Sequence, residues 1–300
     1  MRALFVLTAS ESKRLIGKAV APMEKIQRAM EKGKILISHG STNVYVIEEI
    51  LGKERASELW CRDHYVSGVL LRGNLCTIMA GEKPPILILN KGKVEPPAMT
   101  MAETLKGFDR NSVFIKGANC LDPEGNAAAF VAHPEGGTIG WAIGHLWAQG
   151  IPLMVPVGLE KLIPSVKKAV SLCGQQTFDY CQGLRVGLVP MIGAEVVTEI
   201  EALKILAGVE TTHIGSGGLS GSEGAVTLIS EGEPAAVRKA IDLIESIKGE
   251  PPLLPRKAVC ETCVLTSPIQ PVGYKYEGLA KRCMFEGKKE EKLPPYLQNR

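Results

Sequence analysis

The sequence predicts an α/β protein: a mainly parallel sheet flanked by helices, followed by a smaller ferredoxin-like α+β unit. Three observations carry this reading. Short apolar runs alternate with segments of helical periodicity along residues 34–172. The runs are nearly all apolar instead of alternating, as in strands covered on both faces. The gaps between them are rich in turn formers, with 32 Gly and 19 Pro among the 300 residues.

The elements follow in order. Residues 3–7 are a short apolar run. Residues 10–32 carry Leu15, Ile16, Ala19, Met23, Ile26 and Met30 at near-helical spacing, ended by Gly33. Residues 35–37 read as a strand, 38–42 as a turn and 43–51 as a helix with Val44, Ile47, Ile50 and Leu51 on its apolar stripe. The order recurs, with strands at 85–89, 112–115, 127–132 and 152–155 and helices at 139–149 and 164–172. Strand 183–189, helix 194–207, strands 209–214 and 225–230 and helix 234–247 then give the βαββα order of a ferredoxin-like unit. Pro251, Pro252 and Pro255 mark a linker. The expected division is an α/β domain over 1–172, an α+β domain over 173–250, and a linker with a Cys-containing tail over 251–300.

Composition narrows the function classes. The net charge of +3 supplies no electrostatic reason to bind nucleic acid or an acidic membrane surface. A hydrophobic fraction of 45% excludes a disordered chain. No apolar stretch approaches the roughly 18 residues of a membrane span. The run 3–7 is too short for a signal-peptide core of about 7–15 residues. A soluble, cytoplasmic chain is therefore expected. Eight cysteines are too sparse for a disulfide scaffold, and Cys61, Cys76, Cys120, Cys173 and Cys181 read as small buried hydrophobes.

Three turns after strands are rich in Gly, Ser, Thr, Asn or Lys. In an open α/β sheet, ligands bind beyond the carboxyl ends of the strands, and helix N-termini favour anions. Gly40, Ser41, Thr42 and Asn43 stand before one helix, and Gly136, Gly137 and Thr138 before another. Lys116, Gly117 and Asn119 follow a buried strand. Each feature alone has a plainer reading. Ser41 or Thr42 serves as a helix cap, the two glycines permit a tight turn, and Lys116 covers apolar surface with its stem. Their recurrence in one α/β unit brings them to one rim, where they suit a small phosphorylated or carboxylated metabolite. The sequences GxxxxGK[ST] and GxGxxG are absent, so the local signals of nucleotide hydrolysis and dinucleotide binding are missing. His39 and His133 each follow a strand, as a base near neutral pH or as hydrogen-bonded loop residues. Trp141 and His145 share one helix face and read as packing.

Cys260 and Cys263 form a CxxC pair, and Cys283 follows twenty residues on. That spacing suits zinc or an iron–sulfur centre. A closed site needs a fourth ligand from elsewhere, because every His lies upstream. A redox dithiol and an inert cluster are the other readings.

The segment Ile37-Ser38-His39-Gly40-Ser41-Thr42-Asn43 resembles the first Gly-Ser-Thr loop of the NagB/RpiA/CoA-transferase-like superfamily. The segment from Pro156 to Pro164, with Gly158, Glu160 and Lys161, is similar to the Gly-x-Glu-Lys-x-x-Pro turn of lactate-utilisation (LUD-type) proteins. The resemblance covers about 34–170. It implies an anion cradle that includes Lys161, with Glu135, Glu160 or His39 as the proton handler if there is turnover. The loop at 116–119 lacks the carboxylate base of the sugar-phosphate isomerases of this fold, with only Asp122 and Glu124 nearby. For the nucleophilic Glu of the CoA transferases, the candidates are Glu135 and Glu160. Residues 183–250 resemble a ferredoxin-like or microcompartment-shell domain, which implies a homo-oligomer. The alternatives to metabolite binding are thus an oligomerising assembly protein, or an electron-transfer accessory with a C-terminal metal site.

Overall fold

The computed structural model describes residues 1–71, 73–263 and 283–298. The chain opens on strand β1 (Arg2–Leu7), where Phe5 and Leu7 are buried and Leu4 and Val6 exposed. This is the period-2 pattern of a strand with one covered face. Helix α1 (Ala9–Val20) starts with a capping box. The Thr8 hydroxyl accepts from the Glu11 N–H, and the Glu11 carboxylate accepts from the Thr8 N–H. The single helical segment expected over 10–32 is in fact two helices, α1 and α2 (Glu24–Lys32). Pro22 stands between them, and its ring and missing N–H end a helix.

The remaining elements are β2 (Lys34–Ile37), α3 (Ser41–Leu51), α4 (Lys53–Leu59), the hairpin β3 (Gly68–Leu71) and β4 (Asn74–Thr77), β5 (Leu87–Asn90), β6 (Lys93–Glu95) and α5 (Met101–Thr104). Next come β7 (Val113–Ile115), β8 (Cys120–Leu121), β9 (Ala127–Val131), α6 (Gly137–Gln149), β10 (Leu153–Pro156), α7 (Val166–Leu172) and β11 (Gly187–Pro190). Last are β12 (Glu195–Val197), α8 (Glu199–Ala207), β13 (Glu210–Gly217), β14 (Ala225–Glu231) and α9 (Pro234–Ile247).

The central sheet has six strands in the order β12-β10-β7-β2-β5-β6. The first four run parallel, while β5 and β6 are antiparallel. The fold is thus mixed α/β with a mostly parallel central sheet, accompanied by small antiparallel sheets. Ile35–Ile37, 113–115 and 153–155 are fully or almost fully buried, as strands covered on both faces must be. The run 127–132 differs from a parallel strand. Its β9 pairs antiparallel with β8 and β11 in a sheet of its own. Burial of Ala127, Ala128 and Ala129 explains the apolar run without fixing its direction.

The expected ferredoxin-like pairing is not formed. Strand β11 goes to β9, and β12 extends the central sheet beside β10. Strands β13 and β14 take their third partner from the other end of the chain, in the order β1-β14-β13. The position 172/173 therefore coincides with no break in the core. One apolar cluster joins Phe5 and Leu15 with Phe114, Leu203, Val226 and Ile244. A charged network also spans the molecule. The Arg14 side chain, 2% exposed, pairs with Glu48, with Glu49 at 2.9 Å and with Glu250 at 3.0 Å, and lies over the Tyr45 ring. No helix among the described residues is long and apolar enough to cross a membrane.

Candidate anion-binding site

The carboxyl ends of β2 and β7 open onto a cavity of about 530 Å³. The loops after these strands form part of its wall, where α/β sheets place ligands. His39, Gly40, Ser41 and Thr42 reach it from the loop after β2, and Lys116, Gly117 and Asn119 from the loop after β7. Gly136, Gly137 and Thr138 come from the start of α6, and Lys161 from the turn after β10. The three turns thus share one rim. Neither α3 nor α6 has a side-chain cap; their N-caps are Gly40 and Gly136. Ser41 and Thr42 therefore do not cap α3, and the uncapped N–H groups at both helix starts carry the positive end of the helix dipole. Gly136 is required on two counts. Its φ is +79°, and a Cβ there would stand 2.9 Å from Gly140 Cα.

Four lysines line the cavity, Lys13, Lys83, Lys116 and Lys161, and no Asp or Glu does. Lys161 Nζ donates to the Ala118 carbonyl at 3.0 Å, and Lys83 Nζ to Ser67 Oγ at 3.1 Å. Lys116 Nζ donates at 3.3 Å to the carbonyl of its own neighbour, Gly117. Burial lowers the pKa of Lys83 to about 8, and burial with Lys161 beside it does the same for Lys116. Lys13 is lowered by burial, against the opposing pull of Glu160.

Two of the expected proton handlers have other surroundings. His39 is buried against Tyr65, and its Nε2 lies 2.8 Å from the Pro84 carbonyl. Burial, then the charge of Lys83, pushes its pKa down to about 3. Nε2 is therefore the protonated donor of a neutral ring, and His39 is no base near neutral pH. Glu135 is exposed outside the cavity wall, where its carboxylate accepts from Trp141 Nε1 at 2.8 Å. Glu160 lies just behind the wall, 3.8 Å from Lys13, and neither of its buried oxygens has a hydrogen-bond partner. Asn43 also sits behind the wall, donating to the Ser38 carbonyl at 2.8 Å. Asn119 accepts from the Phe130 N–H and ties its loop to β9.

Sequence reasoning missed three charged groups here. Lys13 arrives from α1, where it reads as one of several surface charges, and Lys83 from an irregular loop. Glu199 stands at the start of α8, where it reads as an ordinary first-turn acid. The addition of β12 to the sheet carries it to the turn after β10, and its carboxylate accepts from the Leu159 N–H at 2.9 Å. A Cβ on Gly158 would meet Glu160 Oε2 at 1.8 Å and Glu199 Oε1 at 3.1 Å, so the two carboxylates converge on this glycine. Burial, with Glu160 alongside, raises Glu199 to about 7. Lys13 thus separates an acid pair from a basic cavity.

The tail cysteines gather elsewhere. Residue 257 bridges to Ile78, the Ala258 N–H donates to the Thr77 carbonyl at 2.9 Å, and Cys283 bridges to Leu184. Cys260 is buried with Phe285, and Cys283 packs against that cluster. Cys76, from β4, stands close enough to the tail cysteines to feel the charge of Cys260 and to act on the thiols of Cys263 and Cys283. Burial first, then these neighbours, pushes the Cys263 thiol up to about 12. Among the described residues, no three His, Cys, Asp or Glu side chains are arranged to hold a metal ion.

Comparison of the chain with protein-family models, with curated proteins and with solved structures returned no match.

Proposed function

We propose that the cavity binds a small phosphorylated or carboxylated metabolite. The observation that carries this is its charge pattern: four lysines and two uncapped helix starts, with no carboxylate in the lining. Among the described residues, only Lys13 of the four lysines has a carboxylate within ion-pair distance. Desolvated ammonium groups without counter-ions are costly, and an anionic ligand would offset that cost. The volume lies within the roughly 300–1,000 Å³ range of small-molecule sites.

The test is thermal stabilisation of the purified protein by sulfate, sugar phosphates, coenzyme A, nucleotides and 2-hydroxy acids. A ligand at a hundred times its Kd stabilises the native state by about 2.7 kcal/mol. One chemical class of anion should stabilise the protein, and Lys116→Met and Thr138→Ala should each weaken that effect. A folded protein that none of these compounds stabilises at millimolar concentration would overturn the reading.

A further inference from the structure

We propose that Lys116 is a nucleophile that forms an imine with the carbonyl group of an anionic aldehyde or oxo acid held in this cavity. The inference rests on the anion-binding reading and deepens it by naming the substrate class. Lys116 follows β7, which lies between β10 and β2 in the central sheet. Its amine is therefore mounted on the interior of the fold and not on a mobile surface loop. Of the four lysines, Lys13 is paired with Glu160, Lys161 is tied to the Ala118 carbonyl and Lys83 to Ser67. Among the described residues, Lys116 Nζ has only the 3.3 Å contact with its own neighbour. Lys116 and the next residue, Gly117, both line the cavity. The other three lysines and the helix starts are left to hold the anionic group, and the carbonyl carbon can then face Lys116.

The environment favours the free amine. A desolvated lysine beside a second cation is a recurring form of activated amine nucleophile. At a pKa of about 8, roughly a quarter of Lys116 is unprotonated at pH 7.5, against about one part in a thousand for an ordinary lysine. The neutral Nζ adds to the carbonyl carbon, and the carbonyl π pair moves to oxygen. The two Nζ protons leave with that oxygen as one water, and a C=N bond replaces the C=O bond. Borohydride then supplies a hydride to the imine carbon and solvent a proton to nitrogen, which fixes the adduct as a secondary amine.

The experiment treats the whole protein with glyoxylate, or with glycolaldehyde phosphate, in the presence of borohydride. The modified lysines are located by peptide mass spectrometry, and sulfate stabilisation is measured in parallel. Lys116 should carry at least tenfold more adduct than any other lysine, and excess sulfate should suppress it. Lys116→Arg should lose the adduct, with the background labelling of the other lysines unchanged. The competition arm uses only the wild-type chain, so it does not depend on the variant's folding. If sulfate stabilises the protein but adducts spread evenly, or fall on Lys83 or Lys161, the covalent role is overturned and the anion site stands. If sulfate has no effect and Lys116 is unlabelled, both fail. Lys116 labelling that sulfate leaves untouched would keep the nucleophile and overturn the anion site.

Discussion

Burial, with Glu160 alongside, raises the Glu199 carboxyl from 4.5 to about 7, and this has a consequence for stability with a definite sign. Below pH 4.5 the group is neutral in both folded and unfolded chains. Between pH 4.5 and 7 the unfolded chain ionises it and the folded chain does not, so stability falls as pH rises through that window. Above pH 7 the penalty is constant, at most about 3 kcal/mol. Glu199→Gln should therefore stabilise the protein at pH 8 and lose that advantage at pH 4.5; denaturant unfolding at both values checks this. An equal difference at the two would show that the carboxyl is not the source. Lys83 and Lys116, held near 8, impose a different dependence on the ligand. Sulfate binds no proton in this range, so its affinity should fall about tenfold or more between pH 7 and 9.5 as the two ammonium charges are lost. Titration calorimetry would read this, and an affinity that holds steady would remove these lysines from the site. The lysine after β7 was legible in the sequence because it directly follows a buried strand. Glu199 was not, because its neighbour Glu160 is 39 residues away along the chain.

The first turn of α6 carries glycine at two of its four positions, Gly137 and Gly140, behind the N-cap Gly136. A Cβ on Gly140 would lie 2.2 Å from the Glu135 carbonyl oxygen, which is backbone and cannot swing aside. Gly140→Ala should displace the 135–138 turn, weaken anion stabilisation several-fold and cost about 1–3 kcal/mol. Gly144, in the same helix, faces open space. Gly144→Ala should leave binding unchanged and stabilise by up to about 1 kcal/mol. Equal effects of the two substitutions on anion stabilisation would count against a special role for the first turn. The start of α6 was legible within two residues because glycines, turn and periodicity coincide there. The direction of β9 was not, since Ala127–Ala129 satisfies burial in a parallel or an antiparallel partner equally well. Nor was the edge position of β12, which β10 determines by offering an open edge.

Across the whole molecule, Arg14 joins α1 to Glu48 on α3 and to Glu250 beyond α9. Arg14→Met would leave Glu48 and Glu250, each 8% exposed, with Arg62 as their remaining cation at 3.1 and 3.3 Å. With Arg62 still in place the expected loss is about 1–3 kcal/mol, and Glu48→Gln with Glu250→Gln added should restore part of it. Denaturant unfolding of the three chains reads both effects, and a single variant as stable as wild type would show the network to be idle. The rim of the cavity was legible because each of its three turns follows an apolar run. The residues that close it, among them Lys13, Lys83 and Pro252, were not, because long-range packing alone brings them there. The same holds for Cys76, which reaches the tail cysteines through the bridge at Ile78. The pairing of β1 with β14 has a consequence in time. As the chain leaves the ribosome, Arg2–Leu7 emerges more than two hundred residues before its partner Ala225–Glu231. At about 5–20 residues per second, the opening strand waits for tens of seconds with its apolar face uncovered. Pro252, Leu253 and Pro255 also line the cavity, so its wall is completed late in synthesis, and a nascent chain halted before residue 225 is the one most in need of a chaperone.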